Sequence, residues 1–597
     1  MRQTICAISV ILSSIGLAAA QSGAFATVSR NHPSRNSGSD GVATKLSTMQ
    51  DSINAQEQQI QKLIEQVQTR DQEIDQLKQQ ISRIETKSND AQQKVTDEAL
   101  KASQQQQEVR AVKNDLVDLK SAVTNSALAL QETQKTMNES PLALRFKGVT
   151  ITPGGFLAAE TVTRQRAMAA DVNTPFNSIP FSAANSGQLS EFYGSGRQSR
   201  LTLKGEGSLK NMHLTGYWEM DWLGAGVTSN NNQSNSYLNR QRQLWGQVAW
   251  KNGLSVTGGQ MWSLVTETKK GMDNLTEALP MSIDAQYVVG FSWARQFGFR
   301  VTKDFNHKFW IGAALENPQT TFANPSNSPN NFLLGNFGNG GGLYNGGGAA
   351  PAGAALTSYS FNAMPDVTVK AAMEPGFGHY ELFGVVSRFR DRIYPNAGAA
   401  SPTATGAYND SVMGGGIGAN ARLTVRKKFD FGLHFMGGDG VGRYGTSSLP
   451  DATVHPDGTL ALLHSYQGLG TFEVHTNKWD WYFNGGGEYV GKAAYLNSGG
   501  KLVGYGSSSN ASTGCGTEVL PGAGGFLANN PSNCSVPTRS VFEGTFGFWF
   551  KPYNGAKGKL QFGPQYEYLV RNTWAGTGGS PRAIENVVLT SFRYYLP

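Results

Sequence analysis

The amino-acid sequence predicts a mainly β protein, a 16-stranded antiparallel transmembrane β-barrel with an N-terminal α-helical coiled coil. Three observations predict it. From residue 146 onward, apolar and polar side chains alternate with a period of two, the pattern of a sheet with two unlike faces. The connections between the alternating segments are long and short by turns. Ahead of Pro141, apolar residues recur every seven positions through a stretch without Pro or Gly.

The N-terminal elements come first in the chain. Arg2, the apolar run Ile5 to Leu17 and the small residues Ala18-Ala19-Ala20 have the layout of a cleaved export signal over 1–20. Cys6 lies inside the apolar run, so it is not a lipid acceptor at the cleavage point. Residues 21–44 are polar and rich in Ser and Asn, which predicts disorder. A heptad register then starts at Leu46 and runs through Ile53, Ile60, Val67, Ile74 and Ile81, and again through Val109, Leu116, Val123 and Leu130. Its companion positions include Met49, Leu63, Leu77, Ile84, Val112 and Leu119, interrupted by Gln56, Arg70, Glu98 and Gln105. A coiled coil over 45–140 follows, lying in the periplasm. At about 1.5 Å per residue it extends roughly 140 Å. It reads as an oligomerisation stalk or as a tether toward the cell wall. Both readings need several copies, because a lone amphipathic helix leaves its stripe in water.

The barrel spans 146–597. In 197–209, Leu201, Leu203 and Leu209 alternate with Arg200, Thr202, Lys204 and Glu206. Next, Leu214, Trp218, Met220 and Trp222 oppose Thr215, Tyr217, Glu219 and Asp221. Candidate strands fall at 148–165, 196–207, 212–223, 239–250, 254–263, 285–300, 308–317, 366–374, 378–390, 412–426, 430–437, 463–475, 480–492, 539–551, 558–571 and 585–596. Aromatic residues gather at strand ends on the apolar face, and the opposite face is charged, unlike a soluble sheet. The alternating connections fit short periplasmic turns and long external loops, which puts both termini on the periplasmic side. Sixteen strands enclose an aqueous channel and not a packed interior.

Composition narrows the function. No later stretch is long and apolar enough for a spanning helix, and the mean hydropathy of −0.35 also suits a barrel with a polar lumen. The net charge is +7, but the basic residues do not cluster, which speaks against nucleic acid. Cys515 and Cys534 share one Gly/Ser/Asn-rich segment, and in an exported chain they predict a disulfide. No G-x-S-x-G elbow occurs, and the histidines, His213, His434 and His475 among them, are scattered singly without metal spacing. Gly414-Gly415-Gly416-Ile417-Gly418 lies within a strand and opens no helix, so it is no phosphate loop. The expectation is a non-enzyme with no cofactor and no metal.

Selection in such a pore is electrostatic and steric. Parity points Arg200, Lys204, Glu206, Glu219, Asp221, Arg422, Arg426, Glu488, Lys492, Glu567, Arg571 and Arg593 inward. Arg240 and Arg242 are ambiguous, because Gln241, Gln243 and Gln247 compete for the lumen side. Arg388, Arg390 and Arg392 form a run on one face. The expected anion path is Arg200, Arg388, Arg390, Arg422 and Arg426, since the guanidinium fork matches carboxylate and phosphate. The competing reading for each is a wall-bracing ion pair with a lumen carboxylate. Of the long loops, 318–365 and 264–284 could narrow the pore, and 264–284, with Glu267, Lys269, Lys270 and Asp273, is favoured.

Three segments carry a family resemblance. They are Gly196-Arg197-Gln198-Ser199-Arg200 leading into Leu201-Thr202-Leu203-Lys204, then Gly258-Gly259-Gln260-Met261-Trp262-Ser263, and the final strand Leu589-Thr590-Ser591-Phe592-Arg593-Tyr594-Tyr595. With the order of signal, coiled coil and barrel, the chain resembles the DcaP-like trimeric outer-membrane channels and, more distantly, the phosphate-selective porin O/P group. The resemblance implies a homotrimer in the outer membrane that takes up small anions such as dicarboxylates, with Arg lining the constriction. The chain departs from the pattern in ending Leu596-Pro597 and not on Phe. The expected partners are outer-membrane lipid and small hydrophilic solutes. The alternative function is a structural barrel tying the outer membrane to the cell wall through its coiled coil.

Overall fold

The computed structural model describes residues 143–224, 237–323, 329, 331–335, 360–518 and 534–597. The expected signal, disordered segment and coiled coil lie outside them. The described chain is a closed antiparallel barrel of sixteen long strands. They are β1 (Val149–Arg164), β2 (Arg200–Leu209), β3 (Met212–Gly224), β4 (Leu238–Trp250), β5 (Leu254–Trp262), β6 (Arg295–Phe305), β7 (Phe309–Glu316) and β8 (Asp366–Met373). They continue as β9 (His379–Ile393), β10 (Tyr408–Val425), β11 (Phe429–Asp439), β12 (His464–His475), β13 (Trp479–Val490), β14 (Thr538–Gly555), β15 (Gly558–Thr573) and β16 (Arg582–Tyr595). Each pairs with the next, and β16 returns to β1 in the register Phe156↔Tyr595 to Arg164↔Val587, so no long edge is left open. A short strand, Glu191–Ser195, continues the β2 side of β1 toward the long-connection end.

The alternation sorts the two faces as a spanning barrel requires. Large apolar side chains point outward into the surroundings, among them Ile417 at 72% and Leu433 at 64% exposure. Glu, Arg, Asn and His on the same strands are buried inside. A water-soluble sheet would invert this order, because exposed apolar surface costs about 25 cal/mol per Å². Aromatic rings line the outer face near the short-turn end. Phe431 stacks on Phe472, Phe483 meets Phe546 and Trp481 meets Phe548, each pair with centroids 4.7 Å apart. These neighbours sit on adjacent strands, where cross-strand pairing brings Cβ atoms close.

Short connections occupy 210–211, 251–253, 306–308, 374–378, 426–428, 476–478 and 556–557, and long ones fill the gaps at the other end. Asn306 and His307 (φ 57° and 56°) and Arg426 and Lys427 (φ 52° and 54°) are left-handed pairs, as the tightest hairpin turns demand.

One strand departs from the sequence expectation. The segment read as 285–300 begins only at Arg295. The apolar run that suggested a strand is buried instead, Val288 and Phe291 against Trp262 and Leu469 and Val289 in the cluster of Ile283 and Tyr482. A short apolar run looks alike in a strand and in a packed loop core. The connection from β5 to β6 therefore occupies all of 263–294.

Candidate pore constriction

The 263–294 connection lies inside the barrel and is held to the wall by inward-facing strand residues. Ser263 donates to Glu316 (2.6 Å) and the Leu264 amide to the same carboxylate (2.7 Å). Thr268 donates to Glu381 (2.6 Å), and Lys370 donates to the Thr266 carbonyl (2.8 Å). Further along, the amides of Ile283, Val289 and Gly290 donate to Gln565 (2.6 Å), Glu543 (2.7 Å) and Glu488 (2.9 Å). The approach is close enough to need glycine. Gly290 sits at φ +86°, and a Cβ there would meet the Gly468 carbonyl oxygen at 2.1 Å. A second connection, 440–463, also enters. Its Ser447 amide donates to Glu488 (3.1 Å), and Arg443 pairs with Asp366.

These wall carboxylates would be costly to bury alone, so the loop's donors and the wall's acceptors need each other. Arg422 belongs to this clamp. It is buried between Glu267 of the loop (2.8 Å) and Asp430 (2.6 Å). Burial raises the Glu267 carboxyl to about 7, against the pull of Arg422 and with the push of Glu381.

Across the lumen the loop stands off the wall and leaves a cavity of about 270 Å³ between residues 279–287 and strands β1–β4 and β13–β16. Arg200, Arg242, Arg593 and Lys559 line it, facing Asp284 and Asp480. Arg242 pairs with Asp221 (3.0 Å) and Glu219 and donates to Tyr287 of the loop (3.0 Å). Arg593 pairs with Glu160 (2.7 Å) and lies over the rings of Phe156 (5.0 Å) and Trp549 (4.8 Å). Arg200 is held less tightly, 3.7 Å from Glu219, with the Phe156 ring at 5.3 Å. The Lys559 ammonium sits 4.0 Å from the centre of the Tyr595 ring, and among the described residues it has no carboxylate partner. Asp284 accepts from the Gln286 amide (2.7 Å) and the Thr174 amide (3.2 Å), and its burial pushes its acidity down.

The five arginines of the expected anion path therefore separate. Arg200 lines the cavity. Arg422 faces inward but serves as a brace. Arg388 and Arg390 do not face the lumen. Their β9 neighbours Ser387, Phe389 and Asp391 are the buried ones, which turns both arginines to the outer face with Leu382 and Val386. Arg426 does not face the lumen either, because it sits exposed in the left-handed turn after β10. Cys515 and Cys534 are joined as a disulfide with Cα atoms 4.7 Å apart.

Arg242, Arg593 and Lys559 were outside the expected path. Arg242 was unreadable because a register shift between Glu219 and Met220 lets Arg242 and Gln243 both turn inward, breaking the alternation. The inward pair Glu219 and Asp221 was the available signal, since buried carboxylates call for cations nearby.

No family model and no curated relative matches the chain. Solved structures do. The outer membrane channel DcaP of Acinetobacter baumannii aligns over 76% of this chain and 99% of its own, with a TM-score of 0.50 and 13% identity. OmpF of Salmonella typhi aligns over 76% and 100% (TM-score 0.40, 9% identity), and the anion-selective porin from Comamonas acidovorans over 75% and 100% (TM-score 0.37, 10% identity). The resemblance to DcaP-like channels read from short segments is thus met at the level of the fold, and the described chain has the closed barrel of that channel.

Proposed function

We propose that the protein is a passive outer-membrane channel, assembled as a homotrimer, for small hydrophilic anions such as dicarboxylates. One observation carries the reading. The lumen cavity of about 270 Å³ is edged by four cationic side chains, and Lys559 among them has no carboxylate partner among the described residues. Arg200, with its distant Glu219, adds a second loosely held cation. Such groups favour anions without binding them too tightly to leave. The fold shared with DcaP supports a channel, and the heptads of 45–140 support self-association. The reading involves no chemical step, so it assigns no catalytic residue.

Full-length protein in a planar bilayer under a salt gradient tests it. Stepwise conductance with a reversal potential on the anion side is expected, and a silent bilayer would overturn the channel. The heptads also favour the tether to the cell wall. Deleting 45–137 separates the two: envelope loosening with intact solute uptake would favour the tether.

A further inference from the structure

We propose that the outer face of β9, at its long-connection end, binds the phosphate groups of outer-leaflet lipid headgroups. The inference rests on the barrel spanning a membrane and not on its conducting. Phe389, Asp391 and Ile393 are buried, so Arg388, Arg390 and Arg392 stand together on the opposite, outward face. At about 6.8 Å per two residues they form a strip roughly 14 Å long.

The strip starts where the apolar surface stops. Below it on β9 lies Leu382, 66% exposed, followed by Val386. On β10, Arg388 stands opposite Met413, which is 55% exposed, whereas Arg390 and Arg392 stand opposite Ser411 and Asn409. Arginine on a lipid-facing wall is costly at the bilayer midplane and tolerated near the interface. The polarity change at Arg388 therefore marks the rim of the hydrocarbon.

The partners these arginines have are neutral. Arg390 donates to the Phe361 carbonyl (2.9 Å), and Arg392 donates to the Asn409 side chain (3.0 Å). Among the described residues no carboxylate pairs with any of the three, and the outward Asp439 of β11 is engaged by His464 at 2.7 Å. Three uncompensated guanidinium groups above an apolar ledge match one occupant: acyl chains against Leu382, Val386 and Met413, and headgroup phosphate in the guanidinium forks. A free phosphate would have no use for the ledge.

Full-length protein in nonionic detergent is titrated with bis-phosphorylated lipid A, with the same lipid dephosphorylated, and with inorganic phosphate, and binding is read by native mass spectrometry. The triple variant Arg388→Gln, Arg390→Gln, Arg392→Gln is compared with Arg426→Gln, which changes an exposed arginine in a short turn. The phosphorylated lipid is expected to bind the wild type and Arg426→Gln at least about tenfold more tightly than the triple variant. The dephosphorylated lipid should not distinguish them. A triple Lys variant, which keeps the charge and the fold but not the guanidinium fork, should bind more weakly than the wild type and more tightly than the Gln variant. Equal binding by the Gln variant, loss of binding in the Lys variant, or displacement of lipid by equimolar inorganic phosphate would overturn the proposal. Conductance recorded on the same samples reports on the channel separately.

Discussion

The two sides of the lumen use the same residue types for opposite ends. Along β7–β13, Glu316, Glu381, Glu488, Lys370 and Arg422 are all engaged, and what they hold is the 263–294 connection. Along β1–β4 and β13–β16, Arg200, Arg242, Arg593 and Lys559 edge a cavity. An inward charge is therefore not a solute contact by default. What separates the two uses is whether a partner of opposite sign or a loop amide already occupies it: on the cavity side Arg242 and Arg593 are paired with carboxylates, and Lys559 and the loosely held Arg200 are the ones left for a solute.

The sharpest way to break this comparison is to remove a clamp residue. Glu381 is fully buried against Lys370 at 2.7 Å and also accepts from Thr268. Glu381→Ala leaves the lysine without its charge partner and should cost about 3–5 kcal/mol. The loss would be read as a lower unfolding temperature in detergent, and an unchanged temperature would mean that the clamp holds nothing.

The opposite side should respond in selectivity and not in stability. Lys559→Glu reverses a charge that no ion pair restrains, and its reversal potential should move clearly toward cations. Its stability should stay within about 0.5 kcal/mol. A stability loss as large as that of Glu381→Ala would erase the distinction between the two sides.

Acidity joins them more weakly. The folded chain holds Glu267 at about 7, above its ordinary 4.5, so folding favours its protonated form. The stability from this group is full below 4.5 and is lost as the pH rises through about 7. Protonation also removes a negative charge beside Arg422. Anion preference should therefore grow modestly from pH 8 to pH 6, and Glu267→Gln should flatten the profile. The smallest effect is expected at two of the three arginines that the structure takes off the lumen. Arg388→Ala and Arg426→Ala should leave the reversal potential unchanged, and a shift from either would return that arginine to the solute path.

Most of the wall was legible in the sequence, because a period of two in which one face is apolar leaves little freedom of register. The failures share a cause. Val288, Val289 and Phe291 read as strand because a loop packed inside a barrel has its own apolar core. Arg242 was ambiguous because a bulge shifts parity by one residue. Arg388 and Arg390 take the outer face because charge marks the lumen only along the apolar part of the wall, and toward the long-connection end of β9 the outer surface is polar as well. Lys559 could not be singled out, since its lack of a partner depends on side chains from distant strands.

The central claim is that the wall has water on one side and lipid on the other. Export removes Cys6 if the signal is cleaved, and Cys515 and Cys534 are bonded, so an introduced thiol is the reactive one. Arg200→Cys and Ile417→Cys, each reconstituted in a bilayer, can be treated with a membrane-impermeant charged thiol reagent. The account predicts rapid modification at 200 with a fall in conductance, and protection at 417. Protection at 200 together with modification at 417 would contradict it.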